Sequence, residues 1–403
     1  MQAHFVKARI HFAVYPRTYP YRRYKVTSNP PNRTIWFVDA PLWFADAAFC
    51  ISKHPTSVKN HLQFRTFLPK PLHKPNKCLT FAAPEPPSLL TMLKSGVVLF
   101  YTTMRLLFDK SFMQPDDMVE LLRHRGLEIE NPQRVSHYIS NIGYYRLSAY
   151  MFPFLRQPKD EHRFKLGSNF QDALNLYRFD KKLRLFLFNE IEKVEIALRS
   201  TLANLVAEET GNIFWMTDET LFANSDKFRR TMELVDKELR NSKEEFILHF
   251  KEKYSNPYPP AWILVEILPL GVVTRMFENL ADNTLRKKIA ARFGLTVPVF
   301  TSWITVVTLT RNACCHHARV WNKENAISPM IPRRLNGRWI VSYVSPKRIY
   351  FDICIIKWFI NIVSPNNDML EHLQALLAEY PMIDIRAMGF PMNWQNEPLW
   401  SSR

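Results

Sequence analysis

Apolar positions recur at steps of three and four over most of the chain, the period of helices that bury one face. The longest such run is Phe179, Leu183, Leu187, Ile191, Val194, Leu198, Leu202 and Leu205, which predicts one amphipathic helix over residues 171–209. Upstream, Pro115 and the acids after it open a short helix that closes at Gly126. A second begins after Asn131-Pro132 and continues through Tyr150, ending near Pro153. Downstream, Phe228, Met232, Val235 and Leu239 mark the buried face of a charged helix over 226–254. Further helices are predicted over 262–281, with Gly271 permitting close packing or a kink, and over 283–293, 347–362 and 367–379. Residues 300–309 are apolar with a helical drift, and the same helix is expected to carry the block from Thr310 to Asn322. No repeat and no strand is predicted. The fold class is all-α.

Residues 1–103 read differently. They hold twelve of the 28 prolines and no glycine before Gly96, and their aromatics and bases follow neither period. Prolines at this density interrupt helices. An over-extended gene start is the favoured reading of this irregular, basic, disordered-looking segment. A basic arm that touches RNA and a small independent domain are the alternatives. The expected division is therefore 1–103 and 104–403.

The formal charge of +17 favours an acidic partner, nucleic acid first and an anionic membrane second. Its distribution changes that picture. Residues 1–90 carry thirteen Lys and Arg against Asp39, Asp46 and Glu85, whereas from Met104 onward forty bases face thirty-four acids. The C-terminal part is only mildly basic. Five scattered cysteines argue against a secreted disulfide scaffold and fit a reducing cytosol, so a cytoplasmic location is expected. No signal-peptide order is present. The most apolar window, residues 89–108, is broken by Lys94, Gly96 and Arg105 and makes a poor membrane span, so no membrane partner is expected.

Chemistry concentrates in Thr310-Arg311-Asn312-Ala313-Cys314-Cys315-His316-His317-Ala318-Arg319-Val320-Trp321-Asn322. At about 100° per residue, Asn312, His316, Arg319 and Lys323 would share one helical stripe, with Arg311 one step off. An amide, an imidazole and cations on one edge suit a polyanion. Four consecutive residues Cys-Cys-His-His cannot converge on one ion from a helix, so no metal is expected. No Walker loop, His-Glu-x-x-His or Gly-x-Ser-x-Gly occurs.

The same block, read as Arg311-Asn312-x-Cys314-x-His316-His317-x-Arg319-x-Trp321-Asn322, closely resembles the signature helix of the Abi family (AbiD/AbiF-like abortive-infection proteins), within the HEPN ribonuclease superfamily. Cys315 stands where that family more often has alanine, and Val320 where it often has leucine. Ile142-Gly143-Tyr144-Tyr145-Arg146-Leu147-Ser148 is similar to a second family stretch. So are Phe179 to Arg184 with Glu190 to Arg199, the Pro259-Pro260-x-Trp262 element with Glu266, and the tail around Met388 to Trp394. Pro269-Leu270-Gly271 departs from the usual Ser-Phe-Gly, and an internal proline there bears on the helix's straightness.

The resemblance implies a HEPN-like bundle with its core at about residues 170–325, additional helices around it, and dimerisation through the Arg311–His316 helix. It implies a metal-independent endoribonuclease of an abortive-infection or toxin–antitoxin-like system, without cofactor. His316 would serve as general acid/base on the ribose 2′-OH, Arg311 would neutralise the phosphorane, and Asn312 would orient phosphate or imidazole. Arg319, Lys323, His317 and Arg146 would contact RNA. The implied partners are an RNA substrate, a second copy of the chain, and an antitoxin or non-coding RNA. Duller readings stand beside these. A catalytically silent RNA-binding or regulatory module would use Arg311 and His316 structurally, and His317 would be a packed or capping residue. The Glu and Arg residues of the 171–209 helix would be mostly solvated outer-face pairs, Glu195 with Arg199 among them, although Arg199 could instead reach the helix of Arg311. Cys314 and Cys315 would be small buried residues, and the tyrosines near Arg146 would pack between helices. A DNA-binding regulator is the weakest, lacking a helix-turn-helix signature.

Overall fold

A computed structural model describes residues 108 and 110–401, together with two strands nearer the N-terminus. The chain divides into two units, Met1–Arg105 and Leu106–Arg403. In the first, β1 (Arg23–Thr27) pairs antiparallel with β2 (Thr34–Val38), Arg23 opposite Val38 and Thr27 opposite Thr34. The sequence reading assigned no strand here. These runs concentrate Val, Ile, Thr and aromatic residues, which favour extended backbone. The remaining readings of residues 1–103, and of the window 89–108 except Phe108, lie outside the described residues.

The second unit is built on α-helices: α1 (Pro115–His124), α2 (Pro132–Ile142), α3 (Tyr144–Met151), α4 (Phe170–Thr210), α5 (Ser225–Asn241), α6 (Glu245–Lys253), α7 (Ala261–Ile267), α8 (Leu270–Asn279), α9 (Asn283–Arg292), α10 (Val297–Cys315), α11 (Ile349–Val363) and α12 (Met369–Glu379). An all-α fold of this unit is what the periodicity predicts. Four helices begin on side-chain caps, in which Asn131, Asn169, Asn224 and Asp282 accept a backbone N–H of the first turn.

Three predicted long helices are in fact pairs, and each break has a local cause. Gly143 adopts φ 90° and separates α2 from α3. Leu268 and Pro269 lie extended between α7 and α8, because Pro269 has no N–H to continue the ladder. Ser242 and Glu244 are extended between α5 and α6, a break that no glycine or proline announces.

The 41-residue α4 is the axis of the unit. Its predicted stripe is buried from Phe179 to Leu202, and α3, α7 and α10–α12 pack around it. Each large apolar side chain so buried contributes about 1.5–3 kcal/mol before chain entropy is counted. A smaller cluster, with Val119, Leu122, Leu147 and Leu174, joins α1–α3 to the start of α4. Among the described residues no single helix is long and apolar enough to cross a membrane.

Helix α11 is buried from Ile349 to Ile360 and carries two charged groups inward. Lys357 Nζ donates to Asn367 Oδ1 at 2.7 Å. Asp352 accepts from Asn325 Nδ2 at 2.8 and 2.9 Å and from Thr310 Oγ1 at 3.2 Å. Burial pushes the Asp352 carboxyl from 3.8 up to about 7 against those bonds. The folded state then holds a proton that the unfolded chain releases between these values, so stability falls as pH rises from about 4 to about 7. Asp352→Asn is expected to flatten that slope. Urea midpoints at several pH values across this window measure it.

Candidate functional site

Helix α10 places Arg311 and Asn312 in its last turn and ends at Cys315. It does not carry the block to Asn322 as expected. His316 is the C-cap, and His317 turns left-handed at φ 55°. The N–H of Ala318 donates to the Ala313 carbonyl at 2.9 Å and that of His317 to the Cys314 carbonyl at 3.1 Å, the paired bonds of a Schellman end. The stripe of Asn312, His316, Arg319 and Lys323 is therefore broken after His316.

Side chains from α3 and α4 take the backbone groups that a longer helix would use. Asp180 Oδ1 accepts from the N–H of Trp321 at 2.7 Å and of Val320 at 3.1 Å. Arg146 Nη1 donates to the His317 carbonyl at 2.5 Å, and Arg184 Nη1 to the Ala318 carbonyl at 3.4 Å. Asp180 is fully buried, with its other oxygen taking bonds from Arg184 and from Tyr150 Oη at 2.5 Å. Burial, with the Asp180 charge, pushes the Tyr150 phenol up, so it stays protonated and donates. Val320 and Trp321 are buried beneath this clamp.

Ahead of the turn, Arg311 Nε donates to Glu195 Oε2 at 3.2 Å, and its Nη1 lies 3.4 Å from Asn312 Oδ1. Glu195 also accepts from Arg199, whose Nη1 donates to the carbonyls of Val265 and, at 2.6 Å, of Leu268 at the α7–α8 break. The Glu195–Arg199 pair expected on the outer face therefore exists but faces α10. The Arg311 side chain keeps 29% of its surface exposed. Arg311 is thus fixed through its Nε edge while still open to solvent.

The His316 ring is exposed and has no hydrogen-bond partner among the described residues. His317 is also exposed and supplies the left-handed residue just past the C-cap, and Lys323 is exposed. Arg319 is half-buried, with Nη1 3.4 Å from the Asn322 carbonyl. Arg146 is exposed but spends one nitrogen on the His317 carbonyl, which makes it a support of the turn. Cys314 is buried and its thiol is pushed up to about 12 by that burial, so it stays protonated near neutrality and is no thiolate nucleophile. Cys315 is half-buried.

The sequence reading took the charges of α4 as mostly solvated. Asp180, Arg184 and Glu190 are instead buried. The signal was present, since Asp180 and Arg184 lie at helical spacing with Leu176 and Leu187 on the apolar face.

Elsewhere, Glu190, Asp368 and His372 bring ligand atoms within 4.8 Å of one another. Glu190 already accepts from Lys193 Nζ at 3.1 Å and Asn189 Nδ2 at 3.0 Å, so an ammonium meets its charge. An open groove of about 470 Å³ beside it, between α4 and α12, is lined by Lys182, Phe186, His372 and Glu379 and by no residue of the Arg311 block.

Comparison with curated proteins and with solved structures gives no match. Residues 137–322 match the family model described as Abi-like protein, a span that runs from within α2 to Asn322 and contains Arg146, Asp180, Glu195, Arg311 and His316.

Proposed function

We propose that the chain is a metal-independent endoribonuclease of an abortive-infection system, cutting RNA through attack of the ribose 2′-OH on its own 3′-phosphate. One observation carries this reading. A guanidinium fixed by a buried-side carboxylate and an exposed, unpartnered imidazole stand five positions apart, about one and a half turns, at the open end of α10. Imidazoles exchange protons near neutrality and suit general acid/base work. A guanidinium matches the oxygens of a phosphorane and stabilises charge that develops only in the transition state. RNA carries its own nucleophile, which agrees with a site that offers no activated Ser or Cys.

In this mechanism His316 removes the 2′-OH proton, or delivers one to the departing 5′-oxygen, and Arg311 binds the phosphoryl oxygens through its outer nitrogens. Asn312 steadies the guanidinium or the phosphate. Two copies meeting along α10 would complete the site, each lending one of these groups. Exposed Leu309 on α10 and exposed Ile196, next to Glu195 on α4, supply apolar surface for that contact.

The test is cleavage of a generic RNA in the presence of chelator, by wild type and by His316→Ala. The expected products are 2′,3′-cyclic phosphates, made by the wild type alone. Cleavage that needs added metal, or that His316→Ala retains in full, overturns the proposal. Glu195 supplies a finer check. A charge-assisted hydrogen bond is worth about 1.5–3 kcal/mol, so Glu195→Gln is expected to lower cleavage about tenfold. The loss should fall on kcat, because Arg311 acts on charge that forms in the transition state.

A further inference from the structure

Between α10 and α11 the chain runs from His316 to Arg348 with neither helix nor strand. Ordered connections of this length without regular structure are uncommon in compact domains and are usually functional. This one is held down at many points. The Met330 carbonyl accepts from Trp303 Nε1 at 3.0 Å, and its N–H donates to Ser302 Oγ at 2.8 Å. Trp339 stacks on Trp303 with ring centroids 4.9 Å apart. Glu397 accepts the N–H of Val341 at 2.6 Å. The Asn325 N–H donates to the Lys347 carbonyl at 2.9 Å and closes the base of the loop.

The charge of this connector is out of proportion to its length. Seven Lys and Arg lie between Arg319 and Arg348 against one acid, Glu324. From Met104 onward the whole chain has only six more bases than acids, so the connector carries that entire excess and the remainder is neutral. Lys323, Arg333, Arg334 and Lys347 are exposed. In the same connector Tyr343 has 89% of its surface exposed and Val341 81%.

The course of the connector is set by its anchors. It leaves the His316 end of α10, reaches Ser302 and Trp303 more than three turns back along the same helix, and returns to Lys347. The distance from Trp303 to Cys315 along α10 is about 18 Å. A basic strip therefore leads away from the imidazole along the flank of α10.

We infer that the connector 319–348 is the track on which single-stranded RNA lies as it enters the Arg311–His316 site, its phosphates on Lys323, Arg333, Arg334 and Lys347 and a base on Tyr343. This deepens the ribonuclease reading and rests on it for the identity of the polyanion. Phosphates spaced along a strand match cations spaced along a strap, and an exposed tyrosine offers a face on which any base can stack. Most of the connector, residues 323–348, lies beyond the stretch that matches the Abi-like family model.

The experiment uses the full chain carrying His316→Ala, so that RNA is bound without turnover. Affinity for a labelled oligo-uridine is measured against salt, with and without Lys323→Gln, Arg333→Gln, Arg334→Gln and Lys347→Gln together. Loss of four phosphate contacts is expected to weaken binding at least tenfold at moderate salt and to lower the slope of log K against log salt by about 3. Tyr343→Ala alone should weaken binding several-fold without changing that slope. Unchanged affinity and slope in the fourfold variant, with the melting temperature of its parent, overturns the inference. So does binding of the parent to phosphatidylserine vesicles that the four substitutions abolish while RNA affinity stays the same, which would assign the strip to a lipid surface. The two proposals fail separately: a chain that loses RNA affinity on neutralisation but never cuts RNA ends the ribonuclease reading and keeps the track.

Discussion

His316→Ala is expected to lower RNA cleavage by about 10²–10⁴-fold, the usual contribution of a positioned general acid or base. It should leave folding untouched. The ring is exposed and hydrogen-bonds to nothing among the described residues, and only the His316 backbone N–H, donating to the Asn312 carbonyl at 2.9 Å, belongs to the helix end. The melting temperature of the variant should therefore match that of the wild type. Arg311→Ala is expected to cost a similar factor, since removing one preorganised donor to a developing oxyanion commonly costs about 10²–10³. Arg311→Lys should recover little, because an ammonium cannot keep the Glu195 bond through Nε and present two further nitrogens to phosphate. Mixing the Arg311→Ala and His316→Ala proteins discriminates between a site shared by two chains and one within a chain. Partial recovery on mixing supports the shared site, and no recovery at any ratio argues for one protomer. Binding measured alongside cleavage excludes the silent RNA-binding reading if affinity survives while turnover is lost.

The second large effect is on the turn that presents the imidazole. Asp180→Ala is expected to destabilise the helical unit by about 3–5 kcal/mol, because it strands a buried guanidinium, Arg184, without its partner. It also removes the acceptor for the N–H groups of Val320 and Trp321, both buried. For a unit of this size the loss should appear as a fall in melting temperature of roughly 5–10 °C. Asp180→Asn keeps one acceptor oxygen for these N–H groups but not the charge, so it should fall between the two. Below its melting temperature, either variant should also lose cleavage, because the loop after His316 is no longer pulled against α4. Loss of stability with full cleavage would show that the clamp holds the fold and not the site.

The two buried acids divide the work around the block. Asp180 reaches it from α4 and fixes Val320 and Trp321, whereas Asp352 reaches it from α11 and joins Thr310 to Asn325. The catalytic candidates lie between these two fixed points. A carboxylate can accept several bonds at once, so one buried acid settles several backbone and side-chain donors that water cannot reach.

The amino-acid sequence by itself determined the helical class and the 41-residue axis, and it named the block proposed to carry the chemistry. Helical periodicity is a local property, and the apolar stripe from Phe179 to Leu202 admits one interpretation at any point along it. The candidate pair Arg311 and His316 was also visible, being a matter of residue type and local spacing. Tertiary structure decided the rest. Whether α10 continued past His316 depended on Asp180, Arg184 and Arg146, more than 100 residues earlier, which offer Ala318 to Trp321 partners that compete with the helical ladder. Whether Glu195 faced solvent or Arg311 depended on how α4 and α10 pack. The breaks at Gly143 and Pro269 could be located from residue type, while that at Ser242 could not, since no residue there forbids a helix. Long-range hydrogen bonds to a backbone leave no period in the sequence, and so the strip that leads from the imidazole became visible only once the ends of the connector were seen to be tied to α10 and α11.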